Sequence, residues 1–438
     1  MNKNTISTMK PASLFEKFSL KNATNIGGVN LLADYALDVL NLPEIFQNHL
    51  SIQKASNAVY PLADSLTTYV LASAIGTERV FHLKFLEDDP LLRAKTGWNK
   101  LPDATTFYVD IHRFTRECDV NSIRLVNKEM LRRILPKECI LDIDATVETV
   151  YGNQEYAAVG YNPTKHGRKS YHPLMFFEGK SQALINAVLR SGNASCSDEF
   201  NRAFQQTLSM LPEHSSVDYV RADAGFAGEE IYAQLEASTR KGYVAKIKRF
   251  SDLWRHAACF PWRRVEYTDL VVEVKSFLHQ AKSWSKPRRI VMVRYRSEEA
   301  SPIQGRLFPD WQTSAMVTNL SWAEEDIWRF YNQRCAQENY IKEMKHGFGM
   351  DRIPTQYFLP NYAVLLLKGI AYNLVLSMRK EIATPRFSRM TAIRLRRELL
   401  YIPAVIIYHA RRWVLKLKET YRYQTDYLIM RQRLDALR

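Results

Sequence analysis

The fold is decided by the stretch Cys139-Ile140-Leu141-Asp142-Ile143-Asp144-Ala145-Thr146-Val147, where the period of the hydrophobic pattern changes. From Leu141 onward, apolar and polar residues alternate, which predicts a β-strand rather than a helix. Asp142 and Asp144 are two positions apart, so their carboxylates lie on the same face of that strand. The stretch therefore predicts a strand with two acids on one side.

A mixed α/β pattern follows this strand. Further strands are predicted at 171–177, 182–189, 217–222 and 243–248, and helices at 198–211 and 228–238. The first three strands can form a meander, whereas the last two are each reached through a helix. From about 250 to 320 the residues favour strands and loops, which indicates a β-rich segment.

The regions before and after this pattern are predicted to be helical. From 27 to about 135, apolar residues recur at spacings of three and four, which predicts an all-α region of four to six helices. Residues 1–26 are polar and predict a flexible N-terminus. The most apolar stretch, 361–378, is interrupted by Lys368 and Asn373, so no membrane span is expected.

The last part of the chain, 379–438, is predicted to be helical and is strongly basic. It contains 15 Lys or Arg against 5 Asp or Glu, or +10 of the net +15 of the whole 438-residue chain. A positive excess of this size favours a polyanionic partner such as nucleic acid. We expect its cations to lie on helices that contact DNA or a second subunit, or else to form a solvated face. These cations include Arg394, Arg397, Arg411, Arg412, Lys416 and Lys418.

Composition excludes several classes of protein. Apolar residues make up 46% of the chain, too many for pervasive disorder. The five cysteines are scattered and never form a Cys-x-x-Cys pair, which argues against a disulfide framework or a zinc knuckle and favours a cytoplasmic location. No secretory signal is visible, and no Gly-x-x-x-x-Gly-Lys-Ser/Thr loop occurs, so no nucleotide cofactor is expected.

Two further acids stand where catalytic groups are common. Asp223 follows a predicted strand, and Glu338 lies in a predicted helix that runs from a capping box at Ser321 and Glu324 to His346. Carboxylates that gather at one point repel one another unless a cation lies between them, and Mg²⁺ prefers such ligands. Taken singly, each acid is more simply explained as turn chemistry or as part of a solvated face.

Four side chains on the predicted helix share one face: Tyr331, Arg334, Glu338 and Lys345. Their offsets from the first residue are 0, 3, 7 and 14, each close to a whole number of helical turns. An acid between two cations suits a surface that meets phosphates, where the acid binds a metal and the cations neutralise the backbone. The alternative is a solvated salt-bridge ladder from Arg334 to Glu338.

The pattern Tyr-x2-Arg-x3-Glu-x6-Lys, from Tyr331 to Lys345, resembles the signature of a branch of the DDE transposases of bacterial insertion sequences. Asp144-Ala145-Thr146 resembles the first-acid motif of that family, and Arg221-Ala222-Asp223-Ala224-Gly225-Phe226 resembles the second. The strand order predicted above is that of the ribonuclease H-like fold shared by these enzymes. The resemblance covers about 135–378.

The resemblance implies a layout of domains. An α/β ribonuclease H-like catalytic core would occupy 136–249 and 321–378, with the β-rich insertion at 250–320 between its two parts. The all-α region at 27–135 would be a DNA-binding domain, and the basic helical region at 379–438 would follow the core.

The resemblance also implies roles for individual residues. The catalytic, metal-binding triad would be Asp144, Asp223 and Glu338, which would hold two Mg²⁺ ions, with Mn²⁺ as a substitute. Asp142 competes as the first acid, but it lacks the Asp-x-Thr context. The residues that contact DNA phosphates would be Tyr331, Arg334 and Lys345.

Two other clusters are candidates for DNA contact. A basic loop contains Lys165, Arg168 and Lys169, which would hold backbone phosphates or form a solvated turn. The insertion mixes arginines with four tryptophans, Trp254, Trp262, Trp284 and Trp311. Such a mixture suits an unstacked base, and the resemblance makes stacking on a flipped base conceivable, although most tryptophans belong to protein cores.

By this resemblance we expect a transposase that binds terminal inverted repeats and moves DNA by cut and paste. Water would attack the strand end first, and the freed 3′-hydroxyl would then attack target DNA. A homodimer that bridges two transposon ends is implied, in the cytoplasm of a bacterium and on its nucleoid. Two alternatives stay open: a nuclease or resolvase of the same superfold that cuts without joining, and a catalytically inactive DNA-binding repressor.

Overall fold

The computed structural model describes residues 14–248, 251–266, 270–297 and 311–438. Within them, a mixed nine-stranded sheet is flanked by helices and accompanied by two three-stranded sheets. Parts of the predicted N-terminus and of the predicted β-rich segment lie outside the described residues, namely 1–13, 249–250, 267–269 and 298–310.

The region from 27 to 135 is helical, as predicted. A short strand, β1 (Ala23–Thr24), precedes α1 (Val29–Asp34), a π-helical turn (Tyr35–Val39), α2 (Leu42–His49), α3 (Leu62–Ile75), a 3₁₀ helix (Val80–Phe85), α4 (Pro90–Thr96), α5 (Ala104–Ile111) and α6 (Glu117–Ile134). Side-chain caps explain two of the helix starts. Asp89 accepts a hydrogen bond from the Leu91 N–H before α4, and Asp103 accepts one from the Thr106 N–H before α5.

Among the described residues between 138 and 318, twelve strands follow. They are β2 (Glu138–Ala145), β3 (Glu148–Thr149), β4 (Ala158–Val159), β5 (Lys169–Tyr171), β6 (Leu174–Glu178), β7 (Leu184–Val188), β8 (Ser216–Ala222), β9 (Gly242–Lys246), β10 (Arg263–Val265), β11 (Leu270–His279), β12 (Arg288–Ser297) and β13 (Gln312–Thr318). The order in the large sheet is β10-β11-β12-β13-β9-β8-β2-β6-β7, while β3, β5 and β4 form a small sheet.

Strand directions bring the carboxyl ends of three strands to one edge of the large sheet. β2, β8 and β9 are mutually parallel, and the other neighbours in this sheet are antiparallel. Ile143 of β2 pairs with Ala222 of β8, so the next residue of each chain segment, Asp144 and Asp223, comes at the same edge. Active groups are common at this edge of α/β sheets.

The predicted β-rich segment continues the large sheet rather than folding apart from it. β13 pairs antiparallel with β9, with Val317 opposite Ala245, and β12, β11 and β10 add in turn. Burial of Val291, Val293 and Met316 on this extension gives it a hydrophobic core of its own. The extension therefore holds β9 in place beside the acid-bearing edge.

The remaining helices are α7 (Phe200–Ser209), α8 (Glu229–Ser238), α9 (Ser251–Ala257), α10 (Glu324–Asn332), α11 (Ala336–Phe348), α12 (Phe358–Ile382), α13 (Pro385–Ser388), α14 (Ala392–Leu395) and α15 (Gln424–Asp435). α12 is the central helix, and α3, α6, α11 and β7 pack against it. The N-terminal helices thus share one hydrophobic core with the sheet.

α12 is long and apolar enough to cross a membrane, yet 94% of its most apolar window is buried inside the protein. The two polar residues that interrupt this stretch are satisfied internally. Lys368 donates hydrogen bonds to the backbone carbonyls of Gly349 and Arg352, and Asn373 donates one to the carbonyl of Leu184 at 2.8 Å. Both therefore tie the helix to its neighbours within the fold.

The helix that carries the Tyr331–Lys345 pattern differs from its prediction. Its N-cap is Ala323 without a side-chain hydrogen bond, so the predicted capping box at Ser321 is wrong. Helical structure runs from Glu324 to Phe348, two residues beyond the predicted end at His346, and a 3₁₀ turn at Gln333–Cys335 divides it into α10 and α11.

The predicted helical region at 379–438 is wrong in its middle. After a π-helical turn at Arg396–Leu400, β14 (Ala404–His409) and β15 (Arg412–Leu417) form an antiparallel hairpin. β-branched and aromatic residues fill this segment, and they suit a pleated surface. β14 also pairs with β1, and Ile26 is buried, so the predicted flexibility of 1–26 is wrong for 23–26.

Candidate active site

Asp144 ends the acid-bearing part of β2, and its side chain is 20% exposed. Oδ1 accepts a hydrogen bond from the Ala145 N–H at 2.8 Å, and Oδ2 lies 3.3 Å from Nη2 of Arg334. Burial raises the pKa of this carboxyl to about 6. Arg334 and the Ala145 N–H oppose that rise, whereas the charges of Asp223 and Glu338 add to it. Asp144 is therefore electrostatically coupled to both of the other predicted acids.

Arg334 docks the helical segment onto β2. The side chain is buried, and Nη2 donates a hydrogen bond to the carbonyl of Ile143 at 3.1 Å while it faces Asp144. One turn later, Gln337 donates a hydrogen bond to the carbonyl of Asp142 at 3.2 Å. Arg334 is thus engaged with the first acid of the site, and its predicted contact with a DNA phosphate stays a prediction.

Asp142 is held in an internal ion pair. Its two oxygens accept hydrogen bonds from Nε and Nη2 of Arg221 at 2.6 and 2.7 Å, and both side chains are 1% exposed. Nη1 of Arg221 also donates a hydrogen bond to the carbonyl of Phe330 at 2.8 Å. The pair therefore connects β2, β8 and α10, which favours Asp144 over Asp142 as the reactive first acid.

Asp223 follows β8 directly and precedes the 3₁₀ turn Ala224–Phe226. The hydroxyl of Tyr331 donates a hydrogen bond to Oδ1 of Asp223 at 3.4 Å. Burial raises the pKa of Tyr331 above its ordinary value, so the phenol keeps its proton and stays a donor. Tyr331 is thus placed to orient the second acid.

Glu338 is the most exposed of the three predicted ligands. Its side chain is 64% exposed, and its carboxylate lies 4.0 Å from Nζ of Lys342. Tyr331 and Arg334 of the same pattern are buried, so its members differ in their exposure to solvent.

A divalent cation fits the chemistry of these three acids, although they are not gathered around one point. Among the described residues, no three Asp, Glu, His or Cys side chains are close enough to hold a metal ion. All three candidate ligands are carboxylates. The negative charges of Asp223 and Glu338 disfavour the ionised form of Asp144 and so raise its pKa, in addition to the larger effect of burial. A cation would relieve that repulsion.

Lys345 is tied to the segment that follows β2. Its Nζ donates a hydrogen bond to the carbonyl of Val147 at 2.9 Å, and burial lowers its pKa while the charge of Glu148 raises it. Burial raises the pKa of Glu148 itself to about 8, against the charges of Lys345 and Lys368. Sequence reasoning missed Glu148, because only tertiary packing distinguishes it from an ordinary acid at a strand end.

Sequence reasoning also missed the segment around Cys196, which packs against Gly225 in the turn after Asp223. Burial raises the pKa of Cys196 against the charge of Arg190, and the charges of Asp144 and Asp223 raise it further. Gly225 makes this approach possible, because a Cβ there would lie only 2.7 Å from the Cys196 sulfur. The glycine in the second motif was the one sequence signal of such a close approach.

Arg190 holds the Cys196 segment in place. The side chain is 1% exposed, and Nη1 donates hydrogen bonds to the carbonyls of Ser195 and Asp198 at 2.9 and 2.7 Å. Nε donates a further hydrogen bond to the carbonyl of His172 at 3.1 Å. This buried arginine therefore acts as a structural clamp on the segment beside the acids.

The other candidates are the basic loop and the tryptophans of the insertion. Lys165, Arg168 and Lys169 are exposed, and Lys169 donates a hydrogen bond to Oδ1 of Asn153 at 3.2 Å. Their contact with DNA stays a prediction. Of the four tryptophans in the insertion, Trp284 is buried at 7% exposure and belongs to the core. The other three, Trp254, Trp262 and Trp311, are partly buried.

Two of those tryptophans enclose an arginine. The guanidinium of Arg294 lies 4.5 Å from the ring of Trp262 and 4.5 Å from the ring of Trp311, and it is paired with Glu273. Both rings are therefore engaged by a cation of the same sheet. A flipped base would have to displace this arrangement in order to stack there.

A family model described as Transposase DDE domain group 1 matches residues 11–438. The chain belongs to this family of DDE transposases. The match spans nearly the whole length of this transposase and so includes Asp144, Asp223 and Glu338. No curated protein matches the sequence.

One solved structure that is similar to this transposase is the cryo-EM structure of the piggyBac transposase synaptic complex with hairpin DNA. The two chains are 12% identical, and the match covers 94% of this chain and 82% of the other, with a TM-score of 0.45.

Proposed function

We propose that this transposase cleaves DNA at transposon ends in a Mg²⁺-dependent reaction and joins the freed 3′ ends to a target, which is cut-and-paste transposition. The observation that carries the proposal is that Asp144 and Asp223 come side by side at the carboxyl edge of the parallel strands β2 and β8. The order β7-β6-β2-β8-β9 supports a ribonuclease H-like core, because its first three strands form a meander and its last two run parallel to β2.

The three acids would hold the divalent cations, Mg²⁺ or Mn²⁺. Bound there, the ions would polarise phosphate oxygens and make water or a 3′-hydroxyl a better nucleophile. Asp144 must be deprotonated for this role, and Arg334 favours its charged form. Tyr331 orients Asp223 by its hydrogen bond, and Arg334 holds Asp144 against β2. These contacts preorganise two ligands before DNA is bound.

DNA would reach the acids from the open side where Glu338 is exposed. Duplex DNA is the expected partner, at transposon ends and at the target, and the basic loop with Lys165, Arg168 and Lys169 is exposed and available to phosphates. A homodimer that holds two ends together, and a cytoplasmic location on the bacterial nucleoid, belong to the same proposal.

The deciding experiment is a plasmid assay in which the substrate carries both ends of the element. Excision followed by strand transfer, lost in Asp223→Asn and kept in Glu230→Gln, is the expected result. Glu230 is a matched control, because it is an exposed acid in α8 close to Asp223 in the chain. Cleavage without joined products would instead indicate a nuclease or resolvase. Binding without any cleavage would indicate a repressor.

A further inference from the structure

The β14–β15 hairpin extends beyond the body of the protein. On one of its faces, Ala404 and Ile406 near the base are buried at 6% exposure each, whereas Tyr408 near the tip is 62% exposed. Trp413, the cross-strand partner of Tyr408, is 68% exposed, and the two ring centroids are 5.1 Å apart. The face that packs into the core thus continues outward as a projecting aromatic pair.

The same hairpin is positively charged and contains no acid. Between 404 and 418 the chain has four cations, Arg411, Arg412, Lys416 and Lys418. Within the part of the chain that the structure describes, none of these four side chains forms an ion pair or a hydrogen bond. By contrast, Arg394 earlier in the region is paired with Glu398 at 2.6 Å. The charge of the hairpin is therefore available to a partner.

The tip of the hairpin is narrow. Ala410 and Arg411 form a two-residue turn in which both residues have a left-handed φ, 49° and 61°. This turn matches the twist of the flanking strands, and glycine or asparagine usually occupies it. The hairpin is thus a two-stranded ribbon up to its last residues.

The ribbon is anchored near the candidate active site. Arg396, in the segment that leads to the hairpin, donates hydrogen bonds to the backbone carbonyls of Gly347 and Ala74. Gly347 lies in α11, nine residues after Glu338, which corresponds to about 14 Å along a helix axis. Six residues in β14 give the ribbon a reach of about 20 Å. The segment that leads into the ribbon thus contacts the helix that carries Glu338.

We propose that the β14–β15 hairpin is a DNA-binding arm that enters the major groove of the duplex beside the cleavage site. Its cations would contact phosphates, and Tyr408 and Trp413 would contact base edges. The inference rests on the proposed function, since it takes the substrate to be duplex DNA. The major groove is about 12 Å wide and admits a two-stranded ribbon. Four unpaired cations on the same hairpin as the aromatic pair favour a polyanion over an apolar protein surface.

Salt dependence of binding tests the role of the cations. The experiment uses the full-length protein and a linear duplex of mixed sequence. The negative slope of log K against log salt should become shallower by about 1.8 in Arg412→Ala/Lys416→Ala, because each lost phosphate contact removes about 0.9 from its magnitude. The matched control is Lys137→Ala/Lys180→Ala, two exposed cations at the opposite edge of the sheet, which should leave the slope unchanged.

A second pair of measurements tests the aromatic pair and the groove. Tyr408→Ala/Trp413→Ala should weaken binding by about 10-fold at one salt concentration without changing the slope, because it removes base contacts and no charge. The unmutated protein should protect guanine N7, which faces the major groove, from methylation by dimethyl sulfate, and the aromatic variant should lose that protection. Both side chains are exposed, so an unchanged melting temperature is expected.

The outcomes separate this inference from the proposed function. If the hairpin variants keep the affinity, salt slope and guanine protection of the unmutated protein, the hairpin is not a DNA-binding arm. That result would leave the proposed DNA cleavage unaffected. If the unmutated protein binds no duplex, the proposed function fails first. If the aromatic variant instead loses self-association in sedimentation and binds DNA normally, the hairpin is a contact between two copies, and the inference is overturned.

Discussion

Nη2 of Arg334 lies 3.3 Å from the Asp144 carboxylate and donates a hydrogen bond to the carbonyl of Ile143 on the same strand. One buried guanidinium thus fixes the first acid relative to β2 and offsets part of its charge. The contact also joins the two parts of the acid site, since Arg334 lies between α10 and α11 and Asp144 lies in the sheet.

Arg334→Lys should reduce DNA cleavage by about 10- to 100-fold, the usual cost of losing a partner that orients a metal ligand. A lysine keeps the charge, but its single ammonium cannot reproduce the planar contact with both the carbonyl and the carboxylate. Cleavage rates at saturating Mg²⁺ measure the effect. Arg329→Lys, at an exposed position of α10, is the control. Equal activity of both variants would show that Arg334 does not position Asp144.

Asp144→Asn should abolish cleavage and yet stabilise the metal-free protein. The folded-state pKa of Asp144 is raised to about 6, so between about pH 4 and pH 6 the native state binds more protons than the unfolded state, and stability falls as pH rises through that window. Removal of the charge should therefore raise the free energy of unfolding by about 1–3 kcal/mol near neutral pH, and it should change this free energy very little below pH 4. Chemical denaturation in EDTA at several pH values measures this, and a loss of stability at neutral pH would contradict it.

Asp142→Ala should act on stability rather than on chemistry. It leaves the buried guanidinium of Arg221 without its carboxylate, which costs about 3–5 kcal/mol when one partner of a buried pair is removed. Replacing both partners together, as Asp142→Leu/Arg221→Met, should be much less harmful. Urea unfolding of the single and double variants checks this. If Asp142→Ala is stable but inactive, Asp142 rather than Asp144 is the first acid.

Gly225→Ala should impair activity through a steric clash. The new Cβ would lie 2.7 Å from the Cys196 sulfur and 3.0 Å from its Cβ, so the segment beside the two aspartates must shift. Cys196→Ala removes the sulfur, and the double variant should recover part of the lost cleavage. Cleavage rates of the two single variants and the double variant provide the comparison. Failure of Cys196→Ala to rescue any activity would mean that the clash is not the cause.

Lys345→Ala should weaken cleavage less than Glu338→Gln does. Lys345 holds the backbone at Val147 behind the first acid, whereas Glu338 is a proposed ligand of the metal. The same plasmid assay, run across Mg²⁺ concentrations, compares the two variants. Equal losses would assign Lys345 a direct role at the reacting phosphates.

Several features of this fold follow from local patterns, and others do not. The short apolar-rich runs at 217–222 and 243–248 predict β8 and β9 closely, because β-branched and aromatic residues favour buried strands. The hairpin at 404–417 was missed, since cations at 411, 412, 416 and 418 fit a helical stripe as well as two strands. Its pairing with β1 joins residues about 380 positions apart, which no local pattern reports.

The same distinction applies to the candidate site. The motif around Asp223 and the pattern from Tyr331 to Lys345 are readable in the sequence, because spacing alone relates their residues. The internal pairing of Asp142 with Arg221, and the approach of Cys196 to the aspartates, depend on which segments meet in three dimensions. The exposure of Glu338 and the burial of Arg334 on the same helical segment likewise depend on tertiary packing.

The central claim is that Asp144, Asp223 and Glu338 together form one divalent cation site. Titration of Mn²⁺ into the full-length protein, followed by electron paramagnetic resonance of the free ion, tests this most directly. We predict that Asp144→Asn, Asp223→Asn and Glu338→Gln each weaken Mn²⁺ binding by about 10-fold or more, while Glu230→Gln leaves it unchanged. Unaltered Mn²⁺ affinity in any one of the three acid variants would contradict the claim.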